Sequence, residues 1–194
     1  MLSRSGWSVV RLLLCCALLA GCQPDVRVPS PTASFRCTPE AGGAEFDCTP
    51  HEHDDMVAKD KLYTEAEAVY REFLTEEVRL LRLGGVDEPT PVLQRTAAGA
   101  FLGEVMDDLR SARANGVTVS EGSRSVEAVE RVVGVSKGGS IAALSICVDS
   151  RTVRFIKSGK TAGSGELTRD DLYFGEIDGE LKVIGADGRV VEEC

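Results

Sequence analysis

The chain has 194 residues, 22 of them basic and 31 acidic, for a formal net charge of −9. That length suits one domain with a substantial core plus a tail. The acidic balance excludes nucleic acid and anionic lipid headgroups as partners, because both would repel the protein.

Arg4 and Arg11 open the chain with positive charge, and an apolar run follows from Leu12 to Ala20 until Gln23-Pro24-Asp25 ends it. A spanning helix needs about 20 apolar residues, so this run reads instead as a cleavable export signal over residues 1–21. Its end, Leu19-Ala20-Gly21-Cys22, resembles the lipobox of bacterial lipoproteins. The resemblance implies that the Cys22 thiol takes a diacylglyceryl group, that cleavage follows Gly21, and that Cys22 becomes the lipidated N-terminus. The mature protein would then sit on the extracytoplasmic side of the cell membrane, with the membrane itself as a partner through the lipid on Cys22. Cleavage leaves 173 of the 194 residues and, with Arg4 and Arg11 gone, moves the charge from −9 to −11. The one tryptophan, Trp7, leaves as well.

Of the seven cysteines, Cys15 and Cys16 lie in the signal and Cys22 takes the lipid. Cys37, Cys48, Cys147 and Cys194 remain, an even number in an oxidising compartment. Four cysteines allow three pairings. The favoured one joins Cys37 to Cys48 as a local loop and Cys147 to Cys194 as a clip from the last residue to a central strand. Thiolate metal sites need tight CxxC-like spacing, which the chain lacks, so no metal or cofactor is expected.

Residues 22–54 are rich in Pro, Thr, Ser, Ala and Gly without apolar periodicity, and read as a flexible stalk carrying the Cys37–Cys48 loop. Within it, His51-Glu52-His53-Asp54-Asp55 groups two histidines with three carboxylates, but no further histidine exists to complete a metal site. It reads as a solvated acidic run. From about Asp55 to Leu83, Leu62, Ala66, Val69, Tyr70, Phe73, Leu74, Leu80 and Leu81 recur at helical spacing up to a stop at Gly84-Gly85. Thr64-Glu65-Ala66-Glu67 has capping-box form inside that stretch. Thr90-Pro91 opens a second helical region, in which Phe101, Leu102, Val105, Leu109 and Ala112 share a face and Asn115-Gly116 closes it.

Everything after Val117 reads as strand. Val126 to Val135 and Ile141 to Val148 are joined by Lys137-Gly138-Gly139-Ser140, Val153 to Lys157 follows, and Ser158 to Gly165 reads as a loop. Leu167 to Ile177, with Leu172 and Phe174 on one face and Tyr173 and Ile177 on the other, meets Leu181 to Ile184 across the hairpin signal Asp178-Gly179. Asp187-Gly188 marks a further turn before Val190 and Val191. Helices followed by antiparallel strands predict an α+β domain with helices packed on one face of a curved sheet.

Residues 55–194 resemble the NTF2-like (cystatin-like) domains, including those of actinobacterial lipoproteins. The resemblance rests on the helix-first order, on Cys147-Val148-Asp149 late in a central strand, on Asp178-Gly179-Glu180-Leu181-Lys182-Val183, and on the terminal Val191-Glu192-Glu193-Cys194. Leu181 stands where such hairpins usually carry tryptophan. An excess of arginine over lysine, 16 to 6, fits a GC-rich bacterial source. The resemblance implies a cone whose mouth in some members holds an acid–base pair of Asp, His or Tyr, as in ketosteroid isomerases and polyketide cyclases.

Here the supply of such groups is thin. His51 and His53 lie before the domain, leaving Tyr63, Tyr70 and Asp149 as inward candidates. Gly163-Ser164-Gly165 lacks the context of a nucleophile elbow, and no phosphate-binding glycine loop opens a helix. The leading expectation is therefore a tethered lipoprotein whose domain binds an envelope protein or a small apolar ligand without doing chemistry, with no catalytic residue. That ligand would enter a cone lined by Val132, Ile146, Phe155 and Phe174. The alternative is an isomerase or dehydratase acting on a small apolar substrate through Asp149 or Tyr70. Homodimerisation through the sheet face is a third expectation.

Overall fold

In the computed structural model, which describes residues 35–120 and 122–194, Thr49 caps the longest element. The Thr49 hydroxyl accepts from the Glu52 N–H at 3.3 Å while the Glu52 carboxylate accepts from the Thr49 N–H at 2.8 Å, a reciprocal capping box. Pro50 at the first helical position completes the start of α1 (Pro50–Arg82). The helix thus begins five residues before the expected Asp55. The Thr64 box is not a start, since the Thr64 hydroxyl donates to the Asp60 carbonyl one turn back at 2.8 Å, inside the helix. At the far end the Gly85 N–H bonds the Leu80 carbonyl at 2.9 Å and the Gly84 N–H bonds that of Leu81 at 3.1 Å, the two bonds of a Schellman cap. Gly84 and Gly85 have positive φ, +85° and +81° respectively. A Cβ on Gly85 would lie 2.0 Å from the Leu109 carbonyl oxygen, so this glycine lets the end of α1 meet the next long helix backbone to backbone.

The signal segment 1–21, Cys22 and the tail through residue 34 lie outside the described residues. From Phe35 the chain belongs to the folded unit. Strands β1 (Phe35–Cys37) and β2 (Phe46–Cys48) pair antiparallel and are joined by the Cys37–Cys48 disulfide. This hairpin docks on α1. Glu40 pairs with Lys59 and accepts from the Tyr63 hydroxyl at 2.8 Å, and the Phe35 ring lies 4.6 Å from that of His53. Of the residues read from composition as stalk, 35–49 are thus a clasp on α1 and 50–54 are its first turn, because a disulfide and the half-buried Glu40 carboxylate supply what apolar periodicity does not.

The second helical region is two helices. α2 (Pro91–Thr96) starts at Thr90, whose hydroxyl accepts from Leu93 N–H at 3.3 Å and donates to Glu76 at 2.7 Å. α3 (Gly99–Asn115) follows a break at Ala97-Ala98, where the Ala98 N–H leaves helical pairing to bond the Val183 carbonyl at 2.9 Å. Gly116 ends α3 in the left-handed conformation, φ +62°.

Seven strands follow: β3 (Val117–Val119), β4 (Ser125–Arg131), β5 (Ala142–Asp149), β6 (Arg154–Lys157), β7 (Lys160–Ser164), β8 (Leu167–Ile177) and β9 (Glu180–Val190). They form a four-stranded sheet ordered β4-β5-β8-β9 and a three-stranded sheet ordered β3-β6-β7, both antiparallel. Strand β7 replaces the expected loop after Ser158. Ser158 and Gly159, with φ +53° and +74°, make a two-residue turn that folds Lys160 back onto Lys157. Asp187-Gly188 is not a turn. These residues continue β9 opposite Asp171 and Asp170, so the β8–β9 hairpin is longer than its apolar residues suggest.

The fold is α+β, with helices packed against antiparallel sheet. Phe73, Leu80, Leu93, Leu109, Leu144, Leu172, Phe174 and Val183 fill the space between α1, α2, α3 and the four-stranded sheet. Ile146 and Phe174 belong to this packing and are fully buried, whereas Phe155 stands on β6 and Val132 follows β4 beside another surface hollow. The four residues expected to line one cavity therefore do not meet, because the sheet interior is occupied by side chains. The second disulfide joins Cys147 on β5 to Cys194, the pairing favoured from sequence.

Candidate functional site

Among the described residues an apolar recess lies elsewhere. The C-terminal half of α1 contributes Val78 and Leu81, α3 contributes Leu109 and Ala112, β3 contributes Val119 and β6 contributes Phe155, together walling a cleft of about 510 Å³. Roughly 300–1,000 Å³ is usual for small-molecule sites. α1 and α3 meet at Gly85, and Gly116 ends α3 just before β3, which places the two helices and the short sheet around the cleft.

Its buried end is polar. Arg124, just before β4, pairs with Glu77 of α1 and donates from Nε to the Ser150 hydroxyl at 3.1 Å. Thr168 of β8 also lines this end and donates its hydroxyl to Asp170 at 3.2 Å. Asp170 lies on the helix-facing side of β8, two and four residues before Leu172 and Phe174. Burial pushes its carboxyl up from the ordinary range, against the opposing pull of the Thr168 hydroxyl and Arg124. Tyr70, two turns before Glu77 on α1, is buried beside this group, and burial followed by the Asp170 charge drives its hydroxyl pKa far up. The arrangement can hold an apolar body and offer hydrogen bonds at one end.

The residues singled out from sequence are dispersed. Asp149 at the end of β5 is gripped by Arg151, which donates from Nε at 3.0 Å, from its terminal nitrogen at 2.6 Å and from its backbone N–H at 2.9 Å. Those bonds pull its carboxyl down to about 2, the opposite of what a general base needs. Tyr63 serves the β1–β2 clasp, where burial and its bond to Glu40 raise its hydroxyl to about 12. His51 and His53 face Asp55 and Asp54 at 3.6 and 3.7 Å. They lie roughly 40 Å along α1 from Glu77. Among the described residues no group of three His, Cys, Asp or Glu side chains is spaced to hold a metal ion.

Cys147 and Cys194 lie on the sheet face opposite the helices. That face carries the pairs Arg169–Glu130 at 3.3 Å, Arg189–Asp171 at 3.6 Å and Lys137–Asp187, the last also receiving the Tyr173 hydroxyl at 2.9 Å. Strand parity carries a readable signal for Asp170, since a residue two before Leu172 must share its face. Arg124 has no comparable signal, lying in a polar connection and meeting Glu77 only through the tertiary fold. No helix among the described residues is long and apolar enough to cross a membrane.

The sequence matches no protein-family model and no curated protein. Among solved structures, the crystal structure of the intermembrane space region of the chloroplast protein ARC6 is similar over 65% of this chain and 95% of its own, with 13% identity and a TM-score of 0.44. A solution NMR structure of a de novo β-sheet design covers 66% of this chain and 90% of its own, with 16% identity and a TM-score of 0.34.

Proposed function

We propose that this protein is an extracytoplasmic lipoprotein, tethered to the cell membrane through lipid on Cys22, whose NTF2-like domain binds a small apolar ligand without transforming it. The observation that carries the binding reading is the cleft between α1, α3 and the β3–β6 pair, apolar on its walls and polar at its buried end. Support for the NTF2-like assignment comes from the helix-first order, the helices on one face of an antiparallel sheet and the long β8–β9 hairpin turning at Asp178-Gly179. The tether rests on Leu19-Ala20-Gly21-Cys22. A non-catalytic role is favoured because Asp149 is held as the counterion of Arg151 and Tyr70 is driven away from ionisation.

The neutral fluorophore N-phenylnaphthylamine tests the reading. The full mature chain carrying Cys22→Ser has no tryptophan to interfere, and its titration with this dye is expected to give saturable enhancement of fluorescence. Ser111 is exposed on α3 at the cleft wall, so Ser111→Trp places an indole across the opening at little cost to folding. The enhancement is expected to fall sharply in that variant. Equal binding by S111W and the parent would remove the cleft from consideration.

A further inference from the structure

The charges at the buried end restrict what the cleft can hold. Building on the binding reading above, we infer that its ligand is an electrically neutral amphiphile, an apolar body ending in a hydroxyl or carbonyl, and not a fatty carboxylate or an alkylammonium ion. The argument starts from Arg124 and Glu77, whose side chains are only 23% and 19% exposed and which neutralise each other. The Arg124 Nε is taken by Ser150 and its Nη1 by Glu77, while Nη2 makes no hydrogen bond among the described residues. A guanidinium carries five N–H donors, so donors remain to face the cleft. Oε1 of Glu77 likewise remains as an acceptor. Together the pair offers donor and acceptor side by side with no net charge, the complement of a hydroxyl or a carbonyl.

A charged head fares worse whichever its sign. A carboxylate reaching for Arg124 would crowd Glu77 on the same guanidinium, with Asp170 behind Thr168 and with Asp108 and Glu166 at the rim. Lys157 at the rim offsets only part of this. An ammonium ion reaching for Glu77 would meet Arg124 at contact distance. Like charges placed together in a desolvated site are strongly disfavoured, and the site's own pair already satisfies the Coulombic attraction.

Decanol and decanoate share an apolar body and differ in head group, so they separate this inference from the binding reading it rests on. Each is titrated at neutral pH, below its aggregation concentration, against N-phenylnaphthylamine bound to the full mature Cys22→Ser chain. Decanol is expected to displace the dye at a concentration about tenfold lower than decanoate. Glu77→Gln leaves the guanidinium without its counter-charge and is expected to narrow or reverse that gap. Decanoate displacing the dye as well as or better than decanol in the parent would overturn the neutral-ligand inference and leave the cleft reading standing. Failure of both to displace bound dye would overturn both. Circular dichroism reports whether Glu77→Gln folds, and if it does not, the comparison in the parent chain decides alone. A folded Glu77→Gln variant that keeps the parental preference unchanged would likewise count against the inference.

Discussion

Arg124 and Glu77 depend on each other for stability as well as for the chemistry of the cleft. Removing one charge of a buried pair leaves the other without its partner, which costs roughly 3–5 kcal/mol when burial is complete. Here the two side chains keep 23% and 19% exposure. Arg124→Met is therefore expected to destabilise the protein by about 2 kcal/mol in urea unfolding, and Glu77→Gln added to it should restore much of the loss. Additive losses in the double variant would show that the two residues act separately. Asp149 presents the opposite case, an acid whose folded-state pKa of about 2 comes from bonds to the Arg151 side chain and N–H. An unfolded chain titrates its aspartates near about 3.9. Because the folded value is the lower, the stabilisation is complete above about pH 4 and is lost as pH falls toward 2. Asp149→Asn should thus be less stable than the parent near neutrality, with the difference in urea midpoints closing across that acid window. A difference that stays constant down to the bottom of the window would remove the Arg151 grip as its cause.

Between elements, the junction of α1 with α3 is the point where backbone replaces side chain. A methyl group at Gly85 would lie 2.0 Å from the Leu109 carbonyl oxygen, while one at Gly84 would meet only the Thr118 methyl at 3.5 Å. Both positions have positive φ, a strain of about 1–2 kcal/mol for a residue with a Cβ. Gly85→Ala must add a backbone displacement to that strain and is expected to lose about 3 kcal/mol or more, well beyond Gly84→Ala. Equal melting temperatures for the two variants would mean that the helices do not touch there. The glycine stop itself is legible in the sequence, as are the apolar stripe of α1, strands β5 and β8, and the Asp178-Gly179 turn, because each depends on neighbours a few residues away. What is not legible depends on partners far along the chain. The break between α2 and α3 follows from the Ala98 bond to Val183, and β7 is held by pairing with β6 although Lys160–Ser164 has no apolar pattern. Residues 35–49 look like linker because a disulfide and Glu40 hold them in place of a buried stripe. The cleft shares that property. Its apolar walls come from α1, α3, β3 and β6, and the expectation of a cone lined by Ile146 and Phe174 fails because both are consumed by the core.

For the molecule as a whole, charge and anchor make separable contributions to where it resides. Under the proposed reading Arg4 and Arg11 leave with the signal, and the resulting charge of −11 would oppose adsorption to an anionic bilayer. Retention at the membrane under the proposed reading therefore depends on acyl chains at Cys22. One chain holds a protein only marginally, at about 0.8 kcal/mol per buried methylene, whereas two or more make release slow. Two wash conditions separate the contributions. High salt screens charge and leaves buried acyl chains in place, so the parent protein should stay in the membrane fraction through a salt wash and leave it only with detergent. Cys22→Ser lacks the acylation site and should be recovered in the soluble fraction, with its Cys37–Cys48 and Cys147–Cys194 bridges intact, since neither involves Cys22. Mass spectrometry of the N-terminal peptide from the parent is expected to show Cys22 as the first residue, carrying acyl mass. A free Cys22 thiol in that peptide, or release of the parent by salt alone, would remove the tether and leave the cleft as the only proposed activity of the chain.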